Sequence, residues 1–405
     1  MKKYLLLLLL PLLLAACSDE PGGGDNGDNG SKAIDIQLTA DEATCVKAMN
    51  TLACKTLAQL DGVETENVVF SPLSTDMALS MAANGAGGNT LRQMQDALCP
   101  DASLSALNSL NTKLLRDLPL TDSKAKVRLA NSLWYARNYE IKTAFSQLLA
   151  DSYNASATAY DPDDKPAAAA AVNAWAEKAT EGIIRDILRP NDVADRYMIA
   201  NAAYFKATWA EKFKKEDTRP GTFTCADGTA VSAPMMHGEM RAAYGENEGT
   251  EFAAIPFGNK AYWMGVVLPP EGQNIVPAMT HIIELVNWQM TAANIDLTLT
   301  MPRFTVASRM YMEEAYKSLG ISDAFNPGSA DFSAISDQAS YISRIKHACE
   351  IRVDEDGAEA AAVTVAGGDM AAGPGFELVL DRPFGFFIIE KSTGTILFMG
   401  ILNRL

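Results

Sequence analysis

The sequence predicts an α+β domain with a strand-rich C-terminal end, and three observations carry that expectation. The first is the segment from Glu355, Glu-Asp-Gly-Ala-Glu-Ala-Ala-Ala-Val-Thr, which continues to the soft tip Met370–Gly375. Stepping by two from Ala358 gives Ala358, Ala360, Ala362, Thr364, Ala366 and Gly368. The other parity gives Glu359, Ala361, Val363, Val365, Gly367 and Asp369. In a strand these sets face opposite sides, so one face is uniformly small and the other carries both acids. The second observation is the pair of apolar runs Phe384–Ile389 and Ile396–Met399 around the turn Ser392-Thr393-Gly394-Thr395, too hydrophobic to lie on a surface. The third is the alternating stretch Ile345–Val353, which runs straight into Gly357. By itself the Gly/Ala segment reads equally well as an exposed linker or as a loop that can enter a sheet and release strain. The strands that follow favour the second.

At the other end, Met1-Lys2-Lys3, the apolar run Tyr4–Leu14 and Ala15-Ala16-Cys17 have the layout of a secretory signal. That run is too short to span a bilayer. Leu14-Ala15-Ala16-Cys17 resembles a bacterial lipobox, so residues 1–16 are expected to be a lipoprotein signal peptide whose removal leaves Cys17 diacylated. Ser18-Asp19-Glu20 resembles the acidic signal that carries bacterial lipoproteins to the cell surface. The expected location is a lipid anchor at the bacterial outer membrane, at the cell surface, facing the extracellular side or the periplasm. Residues 17–33 read as a flexible, acidic, Gly-rich tether. Residues 34–405 read as a single domain, because no second linker or repeat interrupts them.

Fifty acidic against 34 basic residues give a formal net charge of −16. That balance argues against nucleic acid and against anionic membranes, leaving membrane contact through the N-terminal lipid only, and a monomer is expected. Beyond Cys17, the cysteines Cys45, Cys54, Cys99, Cys225 and Cys349 lack the spacing of a disulfide framework and read as buried thiols. Of the three histidines, His237, His281 and His347, none lies in a metal-ligand motif. No phosphate loop, dinucleotide fingerprint or G-x-S-x-G motif occurs, so the chain is not expected to be an enzyme and no metal, cofactor or catalytic residue is expected. A Ser-His-Asp set could still meet in space. A lone histidine on an apolar strand such as that of His347 is nevertheless more often a core residue.

Motifs in one order along residues 35–405 resemble a known family. They begin with Asn67-Val68-Val69-Phe70-Ser71-Pro72-Leu73-Ser74, followed by a small-residue helix to Gly85, Thr90 and Gln93. Next come Asn131-Ser132-Leu133-Trp134, then Asn173, Trp175, Thr180 and Gly182, and then Asn201-Ala202-Ala203-Tyr204-Phe205-Lys206 with Trp209. Val231–Met236, Met301-Pro302-Arg303-Phe304, Leu319-Gly320-Ile321, Ala324-Phe325 and Ala330-Asp331-Phe332-Ser333 continue the series. Asp381-x-Pro383-Phe384-x-Phe386-x-Ile388, a Gly turn and Ile396-Leu397-Phe398-x-Gly400 close it. This set resembles the serpins, a family of protease inhibitors.

The resemblance implies a large mixed central β-sheet with further smaller sheets, helices packed around them, and an exposed reactive-centre loop at about 355–376. It makes Glu355, Gly357, Ala358, Glu359, Ala360, Ala361, Ala362 and Thr364 the hinge that inserts after cleavage. It places Ser71, Ser74, Asn201 and His347 beneath the sheet where two strands part, with His347 hydrogen-bonded to Asn201. Trp209 and Glu355 are set at the top of that sheet, where the loop begins to enter, and Lys206 is given a structural role like theirs. The implied activity is suicide-substrate inhibition of a serine protease, elastase-like for want of Lys or Arg in 366–375. A cysteine protease is the alternative partner, and a non-inhibitory binding protein is the alternative function. Ala371–Ala372 is the favoured reactive bond. Met370–Ala371 and Ala372–Gly373 are its alternatives, because the spacing to Pro383 is one residue longer than the commonest pattern.

Overall fold

A computed structural model describes residues 32–358 and 375–405, without the side chains of 288–291. The expected signal peptide, Cys17, the expected tether up to residue 31, the hinge from Glu359 through Thr364, and Met370, Ala371 and Ala372 lie outside the described residues. The described residues belong to one compact unit.

Two sheets organise it. Six strands are β2 (Ala125–Ala136), β3 (Ser156–Tyr160), β4 (Tyr197–Thr208), β10 (Phe304–Tyr311), β11 (Lys346–Val353) and β12 (Gly357–Ala358). They form a sheet in the order β10-β11-β12-β4-β2-β3, parallel only between β2 and β3. The remaining strands are β1 (Val68–Phe70), β5 (Arg219–Thr224), β6 (Ala230–Asn247), β7 (Thr250–Pro256), β8 (Tyr262–Leu268), β9 (Ile295–Pro302), β13 (Phe376–Val379), β14 (Phe384–Glu390) and β15 (Thr395–Leu402). They run in the order β1-β15-β14-β8-β7-β6-β9-β13, with β5 against β6. The smaller sheets expected from the sequence are thus joined through β6, which pairs with β5 and β9 along its first part and β7 along its last. The mixed sheets with helices around them are the fold that was expected.

Sequence pattern explains the layers. Strands β14 and β15 are buried at every position, as apolar runs without alternation should be. Between α1 (Ala40–Leu57) and the central sheet lies α2 (Pro72–Ala83). Pro72 starts α2 in its first turn and the Ser71 hydroxyl caps it by accepting the Ser74 N–H. The small side chains of α2 let it be buried on almost every side beneath β4 and β15. Phe205 ties the sheets together: its ring lies 5.4 Å from Phe257, 5.3 Å from Tyr262 and 6.4 Å from Phe398. Cys45, Cys54, Cys99, Cys225 and Cys349 are buried, unbridged thiols. Among the described residues, no helix is long and apolar enough to cross a membrane.

Candidate functional site: a strand nested between β4 and β11

After β11 the chain reverses at Asp354. Its carboxylate accepts the N–H groups of Asp356 (2.9 Å) and Gly357 (3.2 Å), and its backbone exchanges two hydrogen bonds with Gly357. Gly357 and Ala358 therefore enter the sheet as β12, with Ala358 opposite Val353 on β11 and Ala207 on β4. Gly357 sits at φ +153°, and a Cβ there would lie 2.1 Å from the Ala207 carbonyl oxygen. Only glycine fits that approach. Ala358, the first member of the small face, is 1% exposed.

A set of contacts fixes this entry point. The Trp209 indole N–H donates to the Asp354 carbonyl and the Trp209 backbone N–H to that of Asp356, both at 2.9 Å. Its ring stacks on Phe257 at 4.4 Å. Glu355 is buried, accepting hydrogen bonds from Arg303 (2.5 Å) and the Thr218 hydroxyl (2.7 Å). Burial alone would raise its pKa, but these bonds outweigh burial and hold the carboxyl below its ordinary range. Asp356 takes ion pairs from Lys212 (2.9 Å) and Lys215 (3.1 Å), the Lys212 contact doing most to lower its pKa. Trp209 and Glu355 both stand at this entry point, together with Arg303, the cation of Glu355, whose place within Met301-Pro302-Arg303-Phe304 gave no sign of that role. Lys206, next to Ala207 on β4, sits opposite Lys126 on β2.

Lower on the same strands lies the second cluster. The Ser71 hydroxyl donates to the Leu397 carbonyl (2.6 Å). The Ser74 hydroxyl donates to the Asn201 side-chain oxygen. The Asn201 amide donates to Asn131 (2.5 Å), whose amide reaches the Tyr153 carbonyl (2.8 Å). His347 is buried, and its Nε2 accepts the Ser71 N–H at 3.1 Å. Burial pushes its pKa down to about 4, so the ring is neutral and Nδ1 carries the proton.

The expected bond between His347 and Asn201 is not made. Above them β12 separates β4 from β11, and among the described residues no ladder joins those two strands below it. His347 turns instead to the N-terminus of α2. A cavity of about 120 Å³ opens there, lined by Leu79, Ile199, Asn201, Ile345, His347 and the linker residue Asp192 among others. Asp192 follows α3 (Lys165–Ala179) and accepts hydrogen bonds from Lys346, Tyr311 (2.8 Å) and Arg344 (3.3 Å). Nothing in the sequence reading pointed to it. Its one local bond, from the Arg189 N–H at 2.9 Å, closes its own turn, whereas Lys346, Tyr311 and Arg344 lie more than a hundred residues away in sequence, so no local pattern could reveal that grip.

The site assembles no catalytic triad: His347 faces a backbone N–H, and among the described residues no cluster of His, Cys, Asp or Glu could hold a metal ion.

Comparison with known proteins agrees with this geometry. An uncharacterized serpin-like protein of Thermococcus kodakarensis is 32% identical over 90% of this chain and 87% of its own. Chicken (Gallus gallus) neuroserpin is 31% identical over 83% and 86%. Among solved structures, the thermophilic serpin tengpin in its native state superposes with a TM-score of 0.83 at 29% identity, covering 93% of this chain and 98% of tengpin. Tengpin in its latent state gives 0.77 at 28% identity, covering 92% and 100%. The serpin family model, described as serine protease inhibitor, matches residues 47–405. With a short strand nested between two long ones and a family match from residue 47 to the C-terminus, this chain belongs to the serpins, the family of serine protease inhibitors.

Proposed function

We propose that the protein is a suicide-substrate inhibitor of elastase-like serine proteases. One observation carries the reading: Gly357 and Ala358 are already paired on both sides, while the strands flanking them share no ladder further down among the described residues. Continuing that register sets Ala360 between Phe205 and Ile351, Ala362 between Ala203 and Cys349, and Thr364 between Asn201 and His347. The small parity of the segment thus falls on the face where only small side chains can pass.

The protease serine attacks the Ala371 carbonyl, an ester forms, and the peptide bond to Ala372 breaks as its nitrogen takes up a proton. The freed segment then adds a central strand, burying its small face and gaining two ladders of hydrogen bonds. The intact protein is accordingly held kinetically rather than at its lowest free energy. A shallow protease pocket accepts the Ala371 methyl, whereas a trypsin-like pocket would keep a buried acid unpaired. A hinge free of proline, with no charge among Ala358, Ala360, Ala362 and Thr364 on its small face, favours this over a purely binding role. The lipobox resemblance supports an anchor at Cys17 on the bacterial outer membrane; incorporation of labelled fatty acid that survives Cys17→Ala would refute it.

The test is incubation with an elastase. A covalent complex stable on a denaturing gel, with the bond located at Ala371–Ala372 by mass spectrometry of the released peptide, is the expected result. Loop cleavage with no complex would make the protein a non-inhibitory serpin.

A further inference from the structure

The described chain resumes at Gly375, and β13 follows it as an edge strand of the nine-stranded sheet. Phe376 opens β13 and is 53% exposed, although Met240 and Leu297, beside it in the same cross-strand row, are buried. Its ring lies 5.3 Å from that of Tyr244. The Tyr244 hydroxyl donates to Glu251 at 2.9 Å, and Glu251 stands directly opposite Glu246 across the β6–β7 hairpin. Glu248 occupies the turn of that hairpin at φ +51°. Like charges face to face weaken a hairpin, and glutamate is a poor residue for a left-handed position. The cations beside these elements are taken: Arg241 pairs with Asp296 and Arg382 with Asp381, both at 3.2 Å or less. Among the described residues, Glu246, Glu248 and Glu251 enter no ion pair.

We infer that the Phe376–Tyr244 face with its glutamate hairpin is a second docking surface for the target protease, and that it selects proteases with a basic rim beside the active site. The inference rests on the proposed inhibitory function. Chain length supports it. Three residues separate Ala372 from Phe376, so four Cα-to-Cα steps span at most about 14 Å of extended chain. A protease engaged at that bond is some 30 Å or more across and must overhang β13. An exposed aromatic pair supplies the apolar centre of such a contact, and the carboxylates supply complementary charge, which acts mainly on the association rate.

Three proteins test this: the parent, Phe376→Ala, and the triple variant Glu246→Gln, Glu248→Gln, Glu251→Gln. The altered side chains are exposed or half-exposed at the surface, so matched melting temperatures are expected to show intact folds. Binding is measured to a cationic and to an anionic elastase, each with its nucleophilic serine replaced by alanine, and association rates to the active enzymes. The triple variant should lose roughly tenfold in association rate with the cationic enzyme at low salt, and the loss should shrink at 0.5 M salt. Phe376→Ala should weaken binding of both inactive enzymes about tenfold, with stoichiometry of inhibition unchanged. Equal rates and affinities for all three proteins would overturn the docking surface while leaving the inhibitory function standing. Patch-dependent binding to the inactive enzymes, without any covalent complex from the active ones, would uphold the surface and refute suicide inhibition.

Discussion

Gly357→Ala is the sharpest perturbation of the hinge. A Cβ at this position would stand 2.1 Å from the Ala207 carbonyl oxygen and 2.7 Å from the Thr208 Cα, both backbone atoms that cannot rotate aside. Ordinary contact begins near 3.4 Å, so β12 and β4 would have to separate by about 1.3 Å (3.4 − 2.1). That is enough to break their ladder. Two lost hydrogen bonds at about 1 kcal/mol each, and about 1 kcal/mol for a side chain at φ +153°, sum to about 3 kcal/mol. The intact variant relieves this strain by leaving β12 unpaired from β4; insertion must then re-form that pairing, so its barrier rises by the same amount and it slows roughly 100-fold. Hydrolysis of the acyl-enzyme does not involve this residue. A ratio of hydrolysis to trapping of about 0.1 would therefore become about 10. Titrating a fixed amount of elastase with inhibitor reads that ratio as the stoichiometry of inhibition. Gly320→Ala is the control: φ is +100° but nothing lies within 4 Å, so it strains the backbone without touching the hinge. Unchanged stoichiometry in Gly357→Ala would refute entry of the loop at this position.

Four further outcomes are expected. Ala360→Arg should turn the inhibitor into a substrate, since a guanidinium would be buried beside Phe205 at a cost of several kcal/mol; equal stoichiometry of variant and parent would count against it. Protein nicked between Ala366 and Gly375 should melt well above the intact form, and identical melting would mean that the loop does not insert. Asp192→Asn should loosen the linker that lines the cavity, costing about 1–3 kcal/mol of native stability and speeding insertion, as read by stopped-flow fluorescence of Trp209. For His347, the folded pKa of about 4 lies below the unfolded value of 6.5, so its contribution is complete above pH 6.5 and is lost as pH falls toward 4; urea melts at pH 7 and 5 should differ in the parent and much less in His347→Gln.

What was legible in the sequence divides by the range of the interaction. The burial of β14 and β15 and the inward set of Ala358 follow from local patterns of apolar and small residues, and these were readable. The cluster of Ser71, Ser74, Asn201 and His347 was recognised through family resemblance, and the structure brings the four together. Its wiring was not predictable, because His347 can meet either Asn201 or the Ser71 N–H depending on how far β4 and β11 stand apart. Arg303 and Asp192 were missed for another reason. Each is a single charge whose meaning comes from partners 52 and 119 or more residues away.

The distribution of contacts also says where insertion is held back. At the top, Glu355 and Asp356 are gripped by Arg303, Thr218, Lys212 and Lys215, and Trp209 holds the turn through its indole and backbone N–H groups, donated to the Asp354 and Asp356 carbonyls. Lower down, the described parts of β4 and β11 share no ladder, and Asn201 and His347 bond to Ser74 and Ser71 rather than to each other. A strand advancing past Ala358 therefore breaks no hydrogen bond between Asn201 and His347. What it must displace is the linker fixed by Asp192 over the cavity. The rate of trapping should accordingly respond to Asp192 and Gly357 more strongly than to Asn201, whose replacement by alanine leaves Ser74 and Asn131 a partner short but opens no gap that is closed now.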